Sequence, residues 1–360
     1  MRFPNQEDGG RKGQLNSGPG DREDGGPGGQ RLVAAFAMRP ELPPRLFGPA
    51  ELARIGALAD IDEMAPVTDF GRVDPARLAR IDILITGWGS PRIGARELAA
   101  MPRLRAIVHA GGSVKGHVSR AAWDRGLLVT TAADANALPV AEYTLAAILL
   151  AGKGVPALAA AYARDPAATG ADCLEIGNYR RTVGIIAASR VGRRVIGLLG
   201  QFDFRVLLYD PHLPPGDPVL RSAERVGLDD LFRRSSIVSI HAPLLPETAG
   251  LVGREQIALM SRGSVIINTA RAPIVDQDAL TEAVRAGRVR AVLDVTGPEP
   301  LPAGHPLREL PGVILTPHVA GALGNELRRL GESATREIEL FAGGRPAEHA
   351  VSADALQAMA

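Results

Sequence analysis

Short apolar runs closed by turn residues alternate with helical stretches along most of this chain. After Thr182 the alternation is most regular, and its apolar runs read TVGIIA, RVLLYD, SIVSIHAP, SVIINTA, RVRAVLDV and VILTP. Runs of this length are typical of buried parallel strands. Strict alternation of such strands with helices indicates a doubly wound parallel sheet. The sequence therefore predicts an α/β fold.

The first half of the chain predicts a second, smaller α/β unit. Its candidate strands are Leu32–Met38, Ile81–Thr86, Leu104–His109 and Leu127–Thr130. A helical stretch from roughly Asn136 to Tyr162 follows, and its apolar residues surround the helix, as expected for a helix buried between domains. A final helix near 321–342 is placed to return to the first unit. At 360 residues, two domains are the natural expectation.

Composition limits the kinds of partner. The chain is 46% hydrophobic and 22% charged, with a formal net charge of +1. Such a balance gives no general attraction to nucleic acid or anionic membrane, and we expect no membrane-spanning segment. Cys173 is the single cysteine, which excludes an internal disulfide and favours the cytoplasm. The histidines show no metal-ligand spacing, so no metal site is predicted.

Residues 1–30 differ from the rest of the chain. They are rich in Gly, Asp, Arg and Asn and contain few large apolar groups. Such a segment buries too little surface to offset its ordering entropy. We therefore expect a disordered N-terminal tail.

Three ionisable residues stand just beyond apolar runs in the second half. Arg271 follows SVIINTA, Glu299 follows AVLDVTGP, and His318 follows GVILTP. Ligands of open α/β sheets bind outside the carboxyl ends of the strands. A guanidinium, a carboxylate and an imidazole in one crevice would bind an organic acid and move a proton.

The segment TVGIIAASRVGRRVIGLLGQFDFRVLLYDP has the layout of a dinucleotide-binding βαβ unit. Asp210 lies 18 residues after Gly192, near the spacing of roughly 20 residues expected for the acid that binds the adenosine ribose. Its carboxylate would accept hydrogen bonds from both ribose hydroxyls and repel a 2′-phosphate. Asp210 therefore favours NAD over NADP.

The glycine fingerprint of such a unit is incomplete here. Ala187 and Ser189 stand where glycines allow the backbone to approach the pyrophosphate, and only Gly192 remains. Ser189 could donate its hydroxyl to a phosphate oxygen, and Arg190 could add a charge-assisted contact. Alone, this motif fits an ordinary βα turn equally well, but Asp210 favours cofactor binding.

Four blocks resemble the D-isomer-specific 2-hydroxyacid dehydrogenases, which include phosphoglycerate, glyoxylate and formate dehydrogenases. The blocks read SIVSIHAPLLPETAGLV, GSVIINTARAPIVD, AVLDVTGPEPL and VILTPHVAG, and the resemblance runs from Leu32 to about Val351. It implies two Rossmann-like domains and a homodimer. A flavodoxin-like substrate domain would comprise 31–133 and 318–352, with an NAD-binding domain, 134–317, inserted between the two segments.

The resemblance also implies roles for individual residues. Arg271, Glu299 and His318 correspond to the catalytic residues, and Asn136 to a conserved asparagine of the family. The carboxylate-binding loop corresponds to Gly112, Ser113 and Val114, and Trp88, an aromatic between glycines at a strand end, is placed to border the substrate. The predicted cofactor-binding residues are Ser189, Arg190, Val191, Gly192, Asp210, His241, Ala242, Pro243, Thr269 and Asp294.

The implied reaction interconverts a 2-keto acid and a D-2-hydroxy acid. Arg271 would bind the acid, and His318, kept protonated by Glu299, would exchange a proton while NADH delivers hydride. Lys115, in the carboxylate loop, would favour a more acidic substrate. An NAD-sensing corepressor of the same fold, or a relative that has lost its cofactor, remains an alternative. His241 is left between a structural role and a cofactor contact.

Overall fold

The computed structural model of the chain describes residues 31–62, 65–165, 167 and 176–358. The expectation of disorder at 1–30 and the interpretation of Cys173 concern residues outside these ranges. Within the described residues the strands form two all-parallel sheets, which confirms the predicted α/β class.

The first sheet has five strands in the order β2-β1-β3-β4-β5, the order of flavodoxin-like folds. Its residues pair in register, for example Ala37 with Thr86 and Thr86 with His109. Every residue of β3 and β4 is buried, as expected for a sheet that helices cover on both faces. The strands are β1 (Leu32–Ala37), β2 (Ala59–Ile61), β3 (Ile83–Thr86), β4 (Ala106–His109) and β5 (Leu128–Thr131).

The second sheet has seven strands in the order β12-β11-β10-β9-β6-β7-β8. Counted from β6, this is the Rossmann order 3-2-1-4-5-6 with one further strand, and the order of the strands reverses between β6 and β9. The strands are β6 (Thr182–Ile186), β7 (Arg205–Tyr209), β8 (Glu224–Arg225), β9 (Ile237–Ile240), β10 (Ser264–Asn268), β11 (Val289–Leu293) and β12 (Val313–Leu315).

Helices connect the strands of both sheets. The α-helices are α1 (Pro43–Leu46), α2 (Pro49–Leu58), α3 (Pro75–Leu78), α4 (Ala95–Ala100), α5 (Ala121–Asp124), α6 (Ala133–Gly152), α7 (Val155–Arg164), α8 (Arg190–Leu199), α9 (Leu228–Arg234), α10 (Arg254–Leu259), α11 (Gln277–Arg285), α12 (Leu327–Ala342) and α13 (Ala355–Ala358). Short 3-10 helices cover Phe70–Arg72, Pro218–Arg221, Ala272–Ile274, Pro306–Arg308 and Gly324–Glu326.

The predicted helix from Asn136 to Tyr162 is wrong as a single element. It is divided into α6 and α7 at Gly154, whose φ of +64° is left-handed. Glycine adopts this conformation without strain, and a new helix begins at Val155, with Pro156 in its first turn, where a proline needs no helical hydrogen-bond donor. The short strands β2 and β8 were not predicted, since two or three residues carry too little pattern.

Helix α6 also corrects the expectation about membrane segments. Among the described residues it is long and apolar enough to cross a bilayer. Its apolar side chains instead pack against α8, α12 and the strands β9 and β10. Buried Ala141 and Ile148 belong to the core beside the second sheet, which is the packing of a core helix.

Helix α12 returns to the first sheet after the chain has completed the second. It packs on α1, α2, β4 and β5, and Leu327, Leu330 and Ile338 join the core cluster of that sheet. A side chain at Gly331 would collide with the carbonyl oxygen of Leu46, so α12 and α1 approach closely. This agrees with the predicted return, while the domain boundaries themselves stay a prediction.

Candidate active site

The carboxyl ends of both sheets border one cleft of about 720 Å³. A crevice at strand ends is where α/β sheets bind ligands. Of the predicted site residues, those that line it are Trp88, Gly112, Ser113, Ser189, Arg190, Val191, His241, Ala242, Pro243, Thr269, Arg271, Asp294 and His318. Val114, Gly192, Asp210 and Glu299 are not among the lining residues.

His318 and Glu299 form a hydrogen-bonded pair. The imidazole Nδ1 lies 2.8 Å from Glu299 Oε1. A carboxylate only accepts hydrogen bonds, so Nδ1 carries the hydrogen, and Nε2 is left to exchange a proton with a ligand. The His318 side chain is 50% exposed, as a group that meets a ligand from solution must be.

Asp294 holds the loop that presents His318. Its Oδ1 accepts hydrogen bonds from the Thr316 hydroxyl at 2.6 Å and the Val319 amide at 2.8 Å, and its Oδ2 accepts one from the Ala320 amide at 2.9 Å. His318 itself has a left-handed φ of +55°. Such strain persists only where surrounding bonds impose it, and the Asp294 carboxylate supplies three of them. Its predicted role in cofactor binding stays a prediction.

Asn268 holds the turn that presents Arg271, a role that the sequence reasoning missed. The Asn268 amide donates to the carbonyl of Arg271 at 3.0 Å, and its oxygen accepts from the Ala270 amide at 3.0 Å. Burial lowers the pKa of Arg271, while nearby Glu299 opposes that shift. A buried guanidinium that remains charged favours binding of an anion in the cleft.

The turn between β6 and α8 keeps the geometry that a glycine fingerprint normally provides. Ala187 is left-handed, with φ of +74°. Ser189 caps α8 by accepting a hydrogen bond from the Gly192 amide at 3.2 Å, which leaves its hydroxyl hydrogen available to a phosphate. A side chain at Gly192 would collide with the Ala187 carbonyl oxygen. Helix α8 therefore begins close to the strand, as a pyrophosphate site requires.

Replacing Ala187 by glycine should stabilise the protein. An alanine in the left-handed region costs about 1–2 kcal/mol, and glycine removes this strain but makes the unfolded chain more flexible. We expect Ala187→Gly to raise the free energy of unfolding by up to about 1 kcal/mol, measured by urea denaturation. As the control, Ala286→Gly changes an alanine with a negative φ of −73° and should destabilise. Equal effects of the two changes would contradict the predicted strain.

The carboxylate of Asp210 faces the same turn. Its Oδ2 accepts a hydrogen bond from the Ala188 amide at 2.8 Å and its Oδ1 one from the His212 amide at 2.9 Å. Each oxygen has a second lone pair, so the carboxylate retains capacity for ribose hydroxyls. The role of Asp210 in binding the ribose stays a prediction.

The loop after β4 brings the first sheet to the cleft. Gly112 and Ser113 line it, whereas the Val114 side chain is fully buried, so only its backbone can serve a ligand. Asn136 supports this loop from α6: its oxygen accepts a hydrogen bond from the Ala322 amide at 3.0 Å, and its side chain lies against Gly112 and Gly321. One asparagine thus links parts of the chain that are far apart in sequence.

Comparisons with known proteins agree with this geometry. Residues 145–320 match the sequence profile described as "D-isomer specific 2-hydroxyacid dehydrogenase, NAD binding domain". The chain is 31% identical to the glyoxylate reductase of Korarchaeum cryptofilum over 273 residues. The aligned region covers 74% of this chain and 82% of that protein. The chain belongs to the D-isomer specific 2-hydroxyacid dehydrogenase family.

Other relatives place the chain within this dehydrogenase family. The D-3-phosphoglycerate dehydrogenase of Mycobacterium leprae is 33% identical over 267 residues, which are 73% of this chain and 49% of that protein. The chain thus spans about half the length of the first curated relatives. A crystal structure of a phosphoglycerate oxidoreductase from Rhizobium etli matches with a TM-score of 0.76 and 27% identity, covering 89% of this chain and 98% of that one. The matched domain profile names NAD, so NAD is the cofactor.

Two buried histidines of this dehydrogenase-family fold should make it sensitive to acid. Burial lowers the pKa of His241 to about 3, and burial together with His117 lowers the pKa of His109 to about 3, from 6.5. Between pH 3 and pH 6.5 these imidazoles bind protons in the unfolded chain but not in the folded chain. Stability should therefore fall as the pH falls from 6.5 towards 3, by up to about 1.4 kcal/mol per pH unit for each imidazole.

Urea unfolding across this pH range measures the slope. In the wild type His241 Nε2 lies 2.9 Å from the Ser239 hydroxyl. His241→Gln replaces the imidazole with an amide, which can bond to the same hydroxyl but does not titrate. We expect the change in the free energy of unfolding per pH unit to decrease by the contribution of one bound proton. An unchanged slope in this variant would show that His241 is already protonated or accessible in the folded protein.

Among the described residues, one group outside the cleft has metal-ligand chemistry. Single ligand atoms of Glu337, Glu348 and His349 lie within 4.8 Å of one another. Glu348 accepts hydrogen bonds from Arg336, however, and one Glu337 oxygen accepts from the backbone amides of Glu348 and His349. A guanidinium at this position repels a metal ion, so the group is explained by these internal bonds.

Proposed function

We propose that the protein is an NAD-dependent D-2-hydroxyacid dehydrogenase. The observation that carries this proposal is the 2.8 Å pair of His318 and Glu299, because His318 lines the same cleft as Arg271 and as Ser189, which follows the left-handed turn at Ala187. A proton donor, an anion-binding guanidinium and a dinucleotide site are the groups that reduction of a 2-keto acid needs.

Each side chain has a distinct task in the proposed reaction. The turn before α8 and Asp210 would hold NADH, which would supply the hydride. Arg271 donates a planar pair of hydrogen bonds to the carboxylate and keto oxygen of the acid, which fixes the carbonyl in one orientation. His318 donates the proton on Nε2 to the carbonyl oxygen as the alcohol forms, and Glu299 stabilises the charged imidazole. In the oxidative direction Nε2 accepts the hydroxyl proton.

Consumption of NADH with a panel of 2-keto acids tests the proposal, with chiral chromatography to identify the product. Reduction of at least one acid to its D-hydroxy form is expected. Tight NADH binding without turnover of any acid would instead favour the NAD-sensing corepressor. Absence of NADH binding in calorimetry would contradict both functions. The left-handed turn at Ala187 and the capped α8 favour retained cofactor binding.

The choice between NAD and NADP should depend on Asp210. Asp210→Ala removes the proposed ribose acceptor and the charge that repels a 2′-phosphate. We expect NADH affinity to fall about 10- to 100-fold, the effect of losing charge-assisted hydrogen bonds, while NADPH affinity stays level or rises. Calorimetric titration of both cofactors measures this, with Asp217→Ala, whose carboxylate instead pairs with Arg193, as the control. Equal losses for the two cofactors would refute the ribose role.

We also propose a homodimer in the cytoplasm. Helix α7 contains no buried residue although it is rich in alanine, and Leu150, Val155 and Tyr162 beside or within it are exposed. An apolar surface of this kind is explained by a partner subunit. Light scattering would give the mass of a dimer if this is right, and a monomer mass would contradict it. The single cysteine supports a reducing compartment, which cell fractionation checks.

A further inference from the structure

The cleft contains more positive charge than the binding of a keto acid by Arg271 requires. Among the described residues that line it, the charged groups at neutral pH are Arg39, Arg45, Arg190, Arg271 and a single acid, Asp294. Both oxygens of Asp294 already accept hydrogen bonds from the 316–320 segment. The surplus of guanidinium groups raises the local concentration of anions.

Two of these arginines have a task in the proposed function. Arg271 faces the keto acid, and Arg190 stands at the head of α8, where a pyrophosphate would bind. Arg190 is also paired with Asp134 at 3.2 Å. Arg39 and Arg45 belong to neither place, because both follow β1 on the first sheet.

Arg39 is held in position at the mouth of the cleft. Its backbone amide donates to the carbonyl of Trp88 at 3.0 Å. Its side chain packs over Gly89, where a Cβ would collide with the Arg39 stem. Trp88 and Gly89 line the same cleft, so the backbone and the stem of Arg39 are held at its edge, with the guanidinium exposed to solvent.

Neither arginine is strongly neutralised by the protein. Arg39 lies 3.3 Å from Glu41, but both side chains are more than half exposed, and such a surface pair contributes little. Arg45 closes the short helix α1, and in the part of the chain described here no carboxylate pairs with it. Both guanidinium groups are therefore available to an anion from solution.

The strand order fixes the distance between the two ends of the substrate site. The sheet runs β1-β3-β4, with Arg39 after β1, Trp88 after β3 and the carboxylate loop at Gly112 after β4. Neighbouring strands are about 4.8 Å apart, so the loops after β1 and β4 are separated by about 10 Å. A short organic acid bound at the loop after β4 can therefore contact an arginine side chain that extends from the loop after β1.

We propose that Arg39 and Arg45 form a second anion subsite, which selects 2-keto acids with another anionic group at the end remote from the keto carbon. That group is a carboxylate or a phosphate monoester. The inference rests on the proposed function, whose Arg271 binds the first carboxylate. It also changes the expectation for Lys115, because Lys115 is exposed and does not belong to the lining. The acidic preference comes from the loop after β1 instead.

Matched pairs of substrates test this subsite. 2-Oxopentanedioate and 2-oxopentanoate have the same carbon chain and differ only in the terminal carboxylate. Hydroxypyruvate and its phosphate ester form the corresponding pair for phosphate. We expect the wild type to prefer the second anion by at least about 10-fold in kcat/KM, because hydrogen bonds to charged groups are the stronger ones. Which pair shows the larger preference identifies the anion.

Arg39→Gln and Arg45→Gln should each lower that preference by up to about 10-fold, towards equal use of the two substrates. Arg72→Gln is the control, because its side chain is 88% exposed and lies outside the lining of the cleft. A wild type without preference in either pair would overturn the inference, as would a preference that survives in both variants.

A binding measurement separates this inference from the proposed catalysis. Calorimetry with the NADH-loaded protein compares D-2-hydroxypentanedioate with D-2-hydroxypentanoate, neither of which can react with NADH. Preference for the dianion without turnover of any keto acid would support the subsite and reject the enzyme. Turnover of keto acids with equal binding of the two hydroxy acids would support the enzyme and reject the subsite.

Discussion

Replacing His318 by asparagine should lower kcat by about 10²- to 10⁴-fold, the usual contribution of general acid catalysis. Asparagine cannot transfer a proton, yet it tolerates the left-handed φ of +55° better than alanine would. The loop held by Asp294 should therefore keep its shape. Steady-state turnover with the best keto acid measures the effect, and calorimetry should show NADH affinity nearly unchanged.

A second histidine provides the control for this substitution. His305 lies outside the lining of the cleft and accepts a hydrogen bond from the Leu307 amide at 3.3 Å, a cap that asparagine can replace. His305→Asn should leave kcat nearly unchanged. If His318→Asn retained wild-type turnover while folded, another group would have to supply the proton, and the proposed role of the His318 and Glu299 pair would be rejected.

Replacing Arg271 by glutamine should lower kcat/KM by about 10²- to 10⁴-fold. The change removes two charge-assisted hydrogen bonds to the acid, each of about 1.5–3 kcal/mol. Because Arg271 orients the carbonyl as well as binding the carboxylate, we expect both an increase in KM and a decrease in kcat. Initial rates over a range of keto acid concentrations separate the two effects.

Arg271→Lys sharpens this result, because lysine keeps the charge and loses the planar fork. We expect it to recover only a small part of the lost kcat/KM. Arg221→Gln, an exposed arginine outside the cleft, is the control and should behave as the wild type. Full recovery by lysine would show that charge alone, rather than the geometry of the fork, is required.

Much of the fold was predictable because parallel strands are both short and continuously apolar. The runs before Arg271, Glu299 and His318 became β10, β11 and β12, and their order along the chain places these side chains at one end of the sheet. The local apolar pattern was sufficient to predict these three strands. It did not reveal β2, which has only three residues at a sheet edge, or the break at Gly154, which depends on one backbone angle.

The cleft contains groups that no local pattern marks. Asn268 looks like any polar residue at a strand end, and its bonds around Arg271 become visible only when the turn is folded. Arg39 and Arg45 are two of many arginines, and they reach the cleft because β1 pairs with β3, beside the strands whose ends border it. Spacing along the chain cannot supply this information, since it is set by the pairing of distant strands.

The left-handed alanine before α8 has a broader consequence for how such chains diverge. Two backbone amides hold the bend from outside: the Ala187 amide donates to the Tyr209 carbonyl, and the Ala188 amide donates to the Asp210 carboxylate. The curvature is thus dictated by a neighbouring strand rather than by the residue that occupies it. A sequence can therefore lose the glycines by which a nucleotide-binding turn is recognised, while the neighbouring strand preserves the backbone conformation of that turn.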